Sequence, residues 1–167
     1  MPIKTMLGDR VACIRKETLT KTESGIIFGT DKKNEIAVVT HVGPLVKNVK
    51  VGDTIFLLRE TKPVSIDGIE YTLTFEKRGF FIKLPIEAIC DDVICIREYE
   101  EEIQGGIIIP DLVRKKSKKA VVVSVGGECE YTKKGKMILL ARDGQDITID
   151  GIEYTMTREH GDNYLIL

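Results

Sequence analysis

The side chains best suited to metal or redox chemistry in this sequence are four cysteines and two histidines. They are Cys13, Cys90, Cys95, Cys129, His41 and His160. A structural zinc site normally draws on closely spaced pairs such as Cys-x-x-Cys, and the sequence contains no such pair. Cys13 and Cys95 each lie in an apolar run, where a free thiol behaves as a small hydrophobic side chain. We therefore predict core thiols, with neither a metal site nor a disulfide framework.

Carboxylates and glycines give no better indication of catalysis. Neither a phosphate-binding loop (Gly-x-x-x-x-Gly-Lys-Ser/Thr) nor a dinucleotide fingerprint (Gly-x-Gly-x-x-Gly) is present. Asp67 and Asp150 each precede a glycine, and we interpret them as turn-forming residues rather than as paired catalytic acids. We predict that the protein is not an enzyme and needs no cofactor. A catalytic site that only the fold brings together is the alternative.

Two apolar triplets lie inside long polar segments, which we name the first insertion (residues 17–34) and the second insertion (residues 98–110). The candidate binding residues are Gly25, Ile26, Ile27 and Phe28 in the first insertion, and Gly106, Ile107, Ile108 and Ile109 in the second. Connections of this length are usually functional or disordered. Each triplet is either a knob that docks on a partner or an extra strand that packs inside. The basic residues 114–119 are interpreted as a solvated flank of the second insertion.

The chain is an internal duplication, and this is its most informative feature. Residues 65–74 recur as residues 148–157, with eight of ten positions identical at an offset of 83. Offsets of 81 to 83 also align the apolar runs that begin each half and the two triplets. We predict two domains that meet near Pro85, residues 1–85 and residues 86–167.

Each copy has the pattern of antiparallel β-structure. Residues 64–66 and 69–75 alternate between apolar and polar side chains, and Asp67-Gly68 between them is a strong hairpin signal. Asp150-Gly151 repeats that signal in the second copy. The remaining predicted strands are residues 10–16, 35–42, 54–58 and 80–84, with counterparts at 93–97, 119–125, 137–141 and 164–167. No segment has a helical period, so the prediction is a small all-β barrel or sandwich in each copy.

Composition narrows the function classes. The net charge of -1 gives no support for a general affinity for nucleic acid. No apolar run approaches the length of a membrane helix, and the first residues lack the apolar core of a signal peptide. Residues 1–84 carry 14 basic and 10 acidic side chains, whereas residues 85–167 carry 11 and 16. We expect a cytoplasmic protein without nucleic-acid or membrane partners. The opposite net charges of the two halves either favour alternating contacts between the halves in an assembly or reflect sequence drift of solvent-exposed residues after the duplication.

The ordered motifs of the first copy resemble the chaperonin-10 (GroES-like) co-chaperonin family. They are Asp-Arg-Val (residues 9–11), Ser-Gly-Ile-Ile-Phe (24–28), Ala-Val-Val-Thr-His-Val-Gly (37–43) and Val-Lys-Val-Gly-Asp-Thr-Ile (49–55). The second copy follows through Asp-Asp-Val (91–93), Gly-Gly-Ile-Ile-Ile (105–109), Val-Gly (125–126) and Lys-Gly-Lys (134–136). Each motif is weak alone, but their order, repeated twice, is fairly specific.

The resemblance implies two tandem, partly open GroES-like β-barrels that assemble into a ring-shaped lid. In that family the glycine-flanked triplet lies on a mobile loop that docks on the apical domain of a large, ATP-hydrolysing chaperonin. The partners implied are therefore a GroEL-like chaperonin and further copies of this chain, and the activity implied is assistance to protein folding. A ring of many weak loops gains affinity through effective concentration.

The sequence also departs from the family. Residues 43–52 and 126–135 are too short for the family's roof hairpin. In this respect the sequence resembles the roofless lids of some large bacteriophages. The location would then be the host cytoplasm. Pro110 follows the second triplet and stiffens it. Whole two-domain chains cannot fill seven domain positions, so a seven-domain ring conflicts with this architecture. The alternative function is a non-catalytic structural or assembly module, for example a viral head component.

Overall fold

A computed structural model describes residues 3, 5–16, 35–59, 63–77, 80–100, 103–104, 107–108, 115–160 and 164–167. For residues 103–104 and 107–108 it describes the backbone alone. None of the described residues lies in a helix, so the predicted all-β class is confirmed. The described part of the chain has no helix long and apolar enough to cross a membrane.

The chain divides into two compact units, Met1–Ile86 and Glu87–Leu167. Unit 1 contains β1 (Arg10–Arg15), β2 (Ile36–Val42), β3 (Thr54–Leu57), β4 (Pro63–Ile66), β5 (Ile69–Phe75) and β6 (Phe81–Lys83). Unit 2 contains β7 (Asp92–Tyr99), β8 (Ile103–Gln104), β9 (Ile107–Ile108), β10 (Lys116–Val125), β11 (Met137–Leu140), β12 (Gln145–Ile149), β13 (Ile152–Arg158) and β14 (Tyr164–Ile166).

The same antiparallel sheet occurs in both units. Its strand order is β4-β5-β1-β2-β3-β6 in unit 1 and β12-β13-β7-β10-β11-β14 in unit 2, which is one topology repeated. In the described residues the edge strands of each sheet do not pair with each other, so each unit is an open six-stranded sheet rather than a closed barrel. The tandem, partly open architecture implied by the resemblance is therefore confirmed.

The predicted hairpins are present in both units. Asp67 and Gly68 have φ angles of 49° and 79°, and Asp150 and Gly151 have φ angles of 51° and 79°. Positive φ at both central residues is what the two-residue turn of a right-twisted hairpin requires. The turns fix the register of β4 on β5 and of β12 on β13, which pairs Ile66 with Ile69 and Ile149 with Ile152.

The core of each unit comes from equivalent positions on the central strands. Val11 and Cys13 on β1 are fully buried, as are their counterparts Val93 and Cys95 on β7. The unit 2 core also takes residues from the two following strands, namely Ala120, Val122, Ile138 and Leu140. Each fully buried Val, Ile or Leu contributes roughly 1.5–3 kcal/mol. The placement of Cys13 and Cys95 in the core is confirmed.

A close backbone approach explains one repeated glycine in each unit. A Cβ built on Gly43 would lie 2.2 Å from the carbonyl oxygen of Gly8, and one on Gly126 would lie 2.2 Å from that of Cys90. Each glycine N–H bonds across the sheet, Gly43 to Arg10 at 2.8 Å and Gly126 to Asp92 at 2.9 Å. Only glycine fits where two chain segments approach this closely.

Unit 2 departs from the predicted boundaries. We predicted strands at residues 93–97 and 119–125, whereas β7 continues to Tyr99 and β10 begins at Lys116. The interpretation of residues 114–119 as a solvated loop flank is wrong for Lys116 to Lys119, which lie in β10. The sequence did not predict this extension because its side chains are polar and show no apolar alternation. Backbone pairing of Lys116 with Tyr99 and charged contacts hold it in place of an apolar face.

Candidate functional site

Both insertions join equivalent strands of the two sheets. The first lies between β1 and β2, and the second between β7 and β10. The neighbouring strands pair up to Arg15 and Ala37 in unit 1, and up to Tyr99 and Lys116 in unit 2. The two predicted binding segments therefore leave equivalent ends of the two sheets.

The first triplet is not reached by the structure. Gly25, Ile26, Ile27 and Phe28 fall in residues 17–34, outside the described residues. Their role in binding a partner stays a prediction.

The second triplet is described in part. Ile107 and Ile108 form β9, which pairs with β8 through Ile103–Ile108 and Gln104–Ile107, and this ribbon is no part of the six-stranded sheet. Gly106 and Ile109 lie outside the described residues. Docking by this triplet therefore also stays a prediction.

The crossovers between the second and third long strands are short in both units. Residues 43–53 and 126–136 are all described, and neither range contains a strand. This agrees with the prediction that these segments are too short to form a hairpin. Such short, irregular segments leave backbone N–H groups without ladder partners, which must be satisfied in another way.

One carboxylate satisfies three such amides in each unit. The Glu76 carboxylate accepts hydrogen bonds from the N–H groups of Lys47 (2.6 Å), Asn48 (2.5 Å) and Val49 (3.2 Å). Glu159 accepts from those of Glu130 (2.5 Å), Tyr131 (3.0 Å) and Thr132 (2.6 Å) in the same way. The backbone N–H of each glutamate is also bound, to the carbonyl of Asp9 or of Asp91. The two glutamates hold the crossovers against the ends of β5 and β13.

The hydrogen bonds to Glu159 change the pKa of its carboxyl group. Desolvation alone would raise the pKa of this carboxyl, but the hydrogen bonds from Thr132, Glu130 and Tyr131 outweigh it and lower the pKa below its usual value. Sequence reasoning missed both glutamates. A signal was available, since Glu76 and Glu159 also match at the offset of 83, two residues beyond the repeated ten-residue stretch.

The crossovers of the two units expose different side chains. Leu7, Leu45 and Val51 are 67%, 65% and 62% exposed beside an open depression of about 490 Å³ next to Gly43. At the offset of 83, Leu45 and Val51 correspond to Glu128 and Lys134. The two units therefore present different chemistry where the crossovers reach solvent.

The thiols have the properties of core residues. The Cys13 and Cys95 sulfhydryls donate to the carbonyls of Thr72 (3.4 Å) and Thr155 (3.2 Å). Burial raises the pKa of Cys13 to about 11 and that of Cys95 to about 12. Thiols with such pKa values are poor nucleophiles and poor metal ligands at neutral pH. Among the described residues, no group of three His, Cys, Asp or Glu side chains could hold a metal ion.

His41 has structural partners within its own sheet. Its ring lies edge-on to the buried Tyr71 with 6.1 Å between ring centroids. Its Nδ1 is 3.1 Å from the Thr40 hydroxyl.

Comparison with known proteins identifies one family twice along the chain. The profile of the family described as "Chaperonin 10 Kd subunit" matches residues 3–78 and again residues 85–167. Among curated relatives, the co-chaperonin GroES of Thermodesulfovibrio yellowstonii is 32% identical over 72 residues, covering 41% of this chain and 82% of the relative. The co-chaperonin GroES of Caldicellulosiruptor saccharolyticus is 37% identical over 76 residues, covering 40% and 80%. That of a Ruegeria species is 34% identical over 87 residues, covering 46% and 92%.

Proposed function

Because the chain belongs to the chaperonin-10 family, we propose that it is a co-chaperonin lid that docks on a large ATP-dependent chaperonin and assists protein folding. The observation that carries this proposal is the double match of one family profile to two units of identical sheet topology. Relatives named co-chaperonin GroES match it over four-fifths or more of their own length. Membership of this family supports a co-chaperonin role.

We infer that docking uses the two triplets. The residues proposed to contact the chaperonin are Gly25, Ile26, Ile27, Phe28, Gly106, Ile107, Ile108 and Ile109. Three features support them: they are apolar, they follow glycine, and they lie on insertions that leave equivalent ends of both sheets. Apolar side chains of this size contribute roughly 1.5–3 kcal/mol each when they are buried in a groove, which suits reversible docking of a multivalent lid.

We propose that the lid is a homo-oligomer, and the end of the chain supports this. The edge strand β14 exposes Leu165, which is 64% accessible, together with Ile166 and Leu167. The equivalent residue of unit 1, Ile82, is only 1% accessible. An apolar edge strand with unpaired N–H and C=O groups readily accepts a strand from another chain. A second copy is the partner that would cover it.

Each chain is proposed to supply two lid domains, residues 1–85 and 86–167. The lid is proposed to act in the cytoplasm, or in the host cytoplasm if the protein is viral, without cofactor, metal or catalytic group of its own. Its ATP dependence would come from the chaperonin alone.

Native mass spectrometry of the full chain, alone and with GroEL plus ATP or ADP, tests the proposal. We expect a closed oligomer that adds to GroEL only with nucleotide. An Ile27→Ser variant is expected to weaken binding at least ~10-fold, because an apolar anchor is lost from every first insertion in the ring. The matched control is Ile69→Ser, which makes the same change at an exposed isoleucine of β5.

The second triplet has its own matched pair. Ile108→Ser is the test variant, and Ile152→Ser is the control at the exposed position equivalent to Ile69. An oligomer that ignores chaperonin under all nucleotide conditions would overturn the lid proposal. Recovery of the chain as a stoichiometric component of purified virus particles would instead establish the structural-module alternative, which the short crossovers favour.

A further inference from the structure

The strand β10, which follows the second insertion, contains a bulge close to that insertion. Tyr99 pairs with Lys116, but Arg97 pairs with Ala120, so β10 has two more residues than β7 between these pairs. The other irregularity of this ladder, between Val122 and Ser124, has a counterpart in unit 1 between Ala12 and Cys13 of β1. A bulge bends its strand and redirects the segment that it joins. A bulge of this kind therefore lies where β10 meets the second insertion.

The Arg97 side chain holds this bulge. Its Nε donates to the carbonyl of Ser117 at 2.9 Å, and Nη2 lies 3.4 Å from the carbonyl of Lys116. Its Nη1 is 3.0 Å from the Asp143 carboxylate, and the side chain is only 8% exposed. A planar, permanently charged guanidinium can satisfy several acceptors at once. The carbonyls of Lys116 and Ser117 thus share one fixed partner.

Both arms of the second insertion are tied to the hairpin β12–β13. The Lys116 ammonium lies 2.9 Å from the Asp146 carboxylate and 3.3 Å from that of Glu153. The Tyr99 hydroxyl, on the other arm, donates to the same Glu153 carboxylate at 3.0 Å. Asp146 is itself oriented by the Thr155 hydroxyl at 2.6 Å. A single exposed ion pair contributes little, but acceptors that are shared among four strands restrain one another.

The titration of the network is consistent with these contacts. The hydrogen bond to Asp146 raises the pKa of Lys116 above its ordinary value. Desolvation alone would raise the pKa of Asp146, but hydrogen bonds from Thr155 and Lys116 outweigh it and lower that pKa. Both groups are therefore charged at neutral pH, as the ion pair requires.

Unit 1 cannot build the same network. The position equivalent to Asp146 is Pro63, which has no carboxylate. Arg15, equivalent to Arg97, donates through Nε to the Thr72 hydroxyl at 3.2 Å, within its own sheet. The Asp146 contacts of unit 2 therefore have no equivalent in the described part of unit 1.

We propose that Arg97, Tyr99, Lys116, Asp146 and Glu153, named here the stem clamp, are positioning residues that hold the β8–β9 hairpin and its Ile107 and Ile108 in a preset direction. If the chain docks on a chaperonin as proposed above, its two insertions are then not equivalent in binding that chaperonin. A segment held in its binding direction loses less conformational entropy when it docks. The second insertion therefore contributes more affinity with the clamp intact than without it.

Amide hydrogen exchange of the full chain tests the clamp without any partner. The ratio of exchange at Ile103–Ile108 to exchange at Met137–Leu140 in β11 is compared between the wild type, Lys116→Met and Asp146→Asn. We expect each variant to raise the ratio at least ~5-fold. The control is Lys77→Met, which breaks the exposed Lys77–Asp9 pair of unit 1 (3.7 Å) and should leave the ratio unchanged.

An unchanged ratio in both clamp variants would overturn the proposal. Because β11 lies in the same unit, a general loss of stability accelerates both segments and does not imitate the expected result. If either variant unfolds unit 2, Glu153→Gln takes its place, since it removes one acceptor of Lys116 and Tyr99 and leaves the Asp146 contact.

Binding to GroEL with nucleotide tests the functional consequence. In an Ile27→Ser background, where the second insertion carries the docking, Lys116→Met should weaken binding several-fold. In an Ile108→Ser background the same change should have no effect. Equal losses in both backgrounds would overturn the positioning role. If the wild type fails to bind, the proposed function fails, and the exchange ratio alone decides the clamp.

Discussion

At two equivalent positions, unit 2 has side chains with a hydroxyl group where unit 1 has apolar side chains. Unit 1 has Val49 and Phe81, both buried, where unit 2 has Thr132 and Tyr164. The Thr132 and Tyr164 hydroxyls are 2.5 Å apart, so unit 2 has a hydrogen-bonded pair at two positions that are apolar in unit 1. The Thr132 hydroxyl also forms a hydrogen bond with the Glu159 carboxylate.

A double-mutant cycle at this pair has a definite expected result. Tyr164→Phe and Thr132→Val should each cost about 1 kcal/mol, because each removes the hydrogen bond between the two hydroxyls. Thr132→Val also removes the hydrogen bond of its hydroxyl to Glu159. The double variant should therefore cost less than the sum of the two single variants, since both remove the same hydrogen bond. Urea unfolding measures the cycle, and additive costs would contradict the expectation.

Among larger elements, the crossovers depend on one glutamate each. Glu76→Ala is expected to destabilise unit 1 by on the order of 3 kcal/mol, because three backbone N–H groups lose a charged acceptor. Glu159 adds a pH dependence. Its folded-state pKa is lowered, so its stabilising contribution is present above the unfolded pKa and is lost as pH falls through the folded value.

The measurement is the unfolding free energy of the wild type and Glu159→Gln between about pH 6 and pH 3. The wild type should lose stability with acid more steeply than the variant. The matched control is Glu98→Gln, which changes an exposed glutamate of β7 in the same unit. Parallel curves for wild type and Glu159→Gln would show that the carboxylate does not hold the crossover as its contacts indicate.

For the whole molecule, the exposed end of β14 governs assembly. Leu165→Lys places a charge on an apolar edge strand, and natural sheets use lysine there to prevent pairing with other chains. We expect smaller oligomers in native mass spectrometry, with unit 2 still folded, because Leu165 is already largely exposed in the single chain. Ile69→Lys, at an exposed isoleucine of β5, is the control. An unchanged oligomer would remove β14 from the assembly interface.

The sequence by itself determined the features that depend on neighbouring residues and on repetition. The duplication, the alternation of the strands, the two Asp-Gly hairpins and the family resemblance all followed from it. The reason is physical: a turn needs positive φ at particular residues, and a half-buried strand needs a period of two. The insertions could be located because they interrupt those patterns.

Only the tertiary structure decided which distant residues meet. Glu159 lies 27 to 29 positions from the amides that it holds, and Lys116 lies 30 positions from Asp146. Such contacts depend on strand order and register, which no local pattern encodes. Lys116, predicted to lie in a loop flank, lies in β10 opposite Tyr99, beyond the bulge beside Arg97. The sequence did not predict this part of the strand because backbone pairing and ion pairs hold it, and it has no alternating apolar pattern.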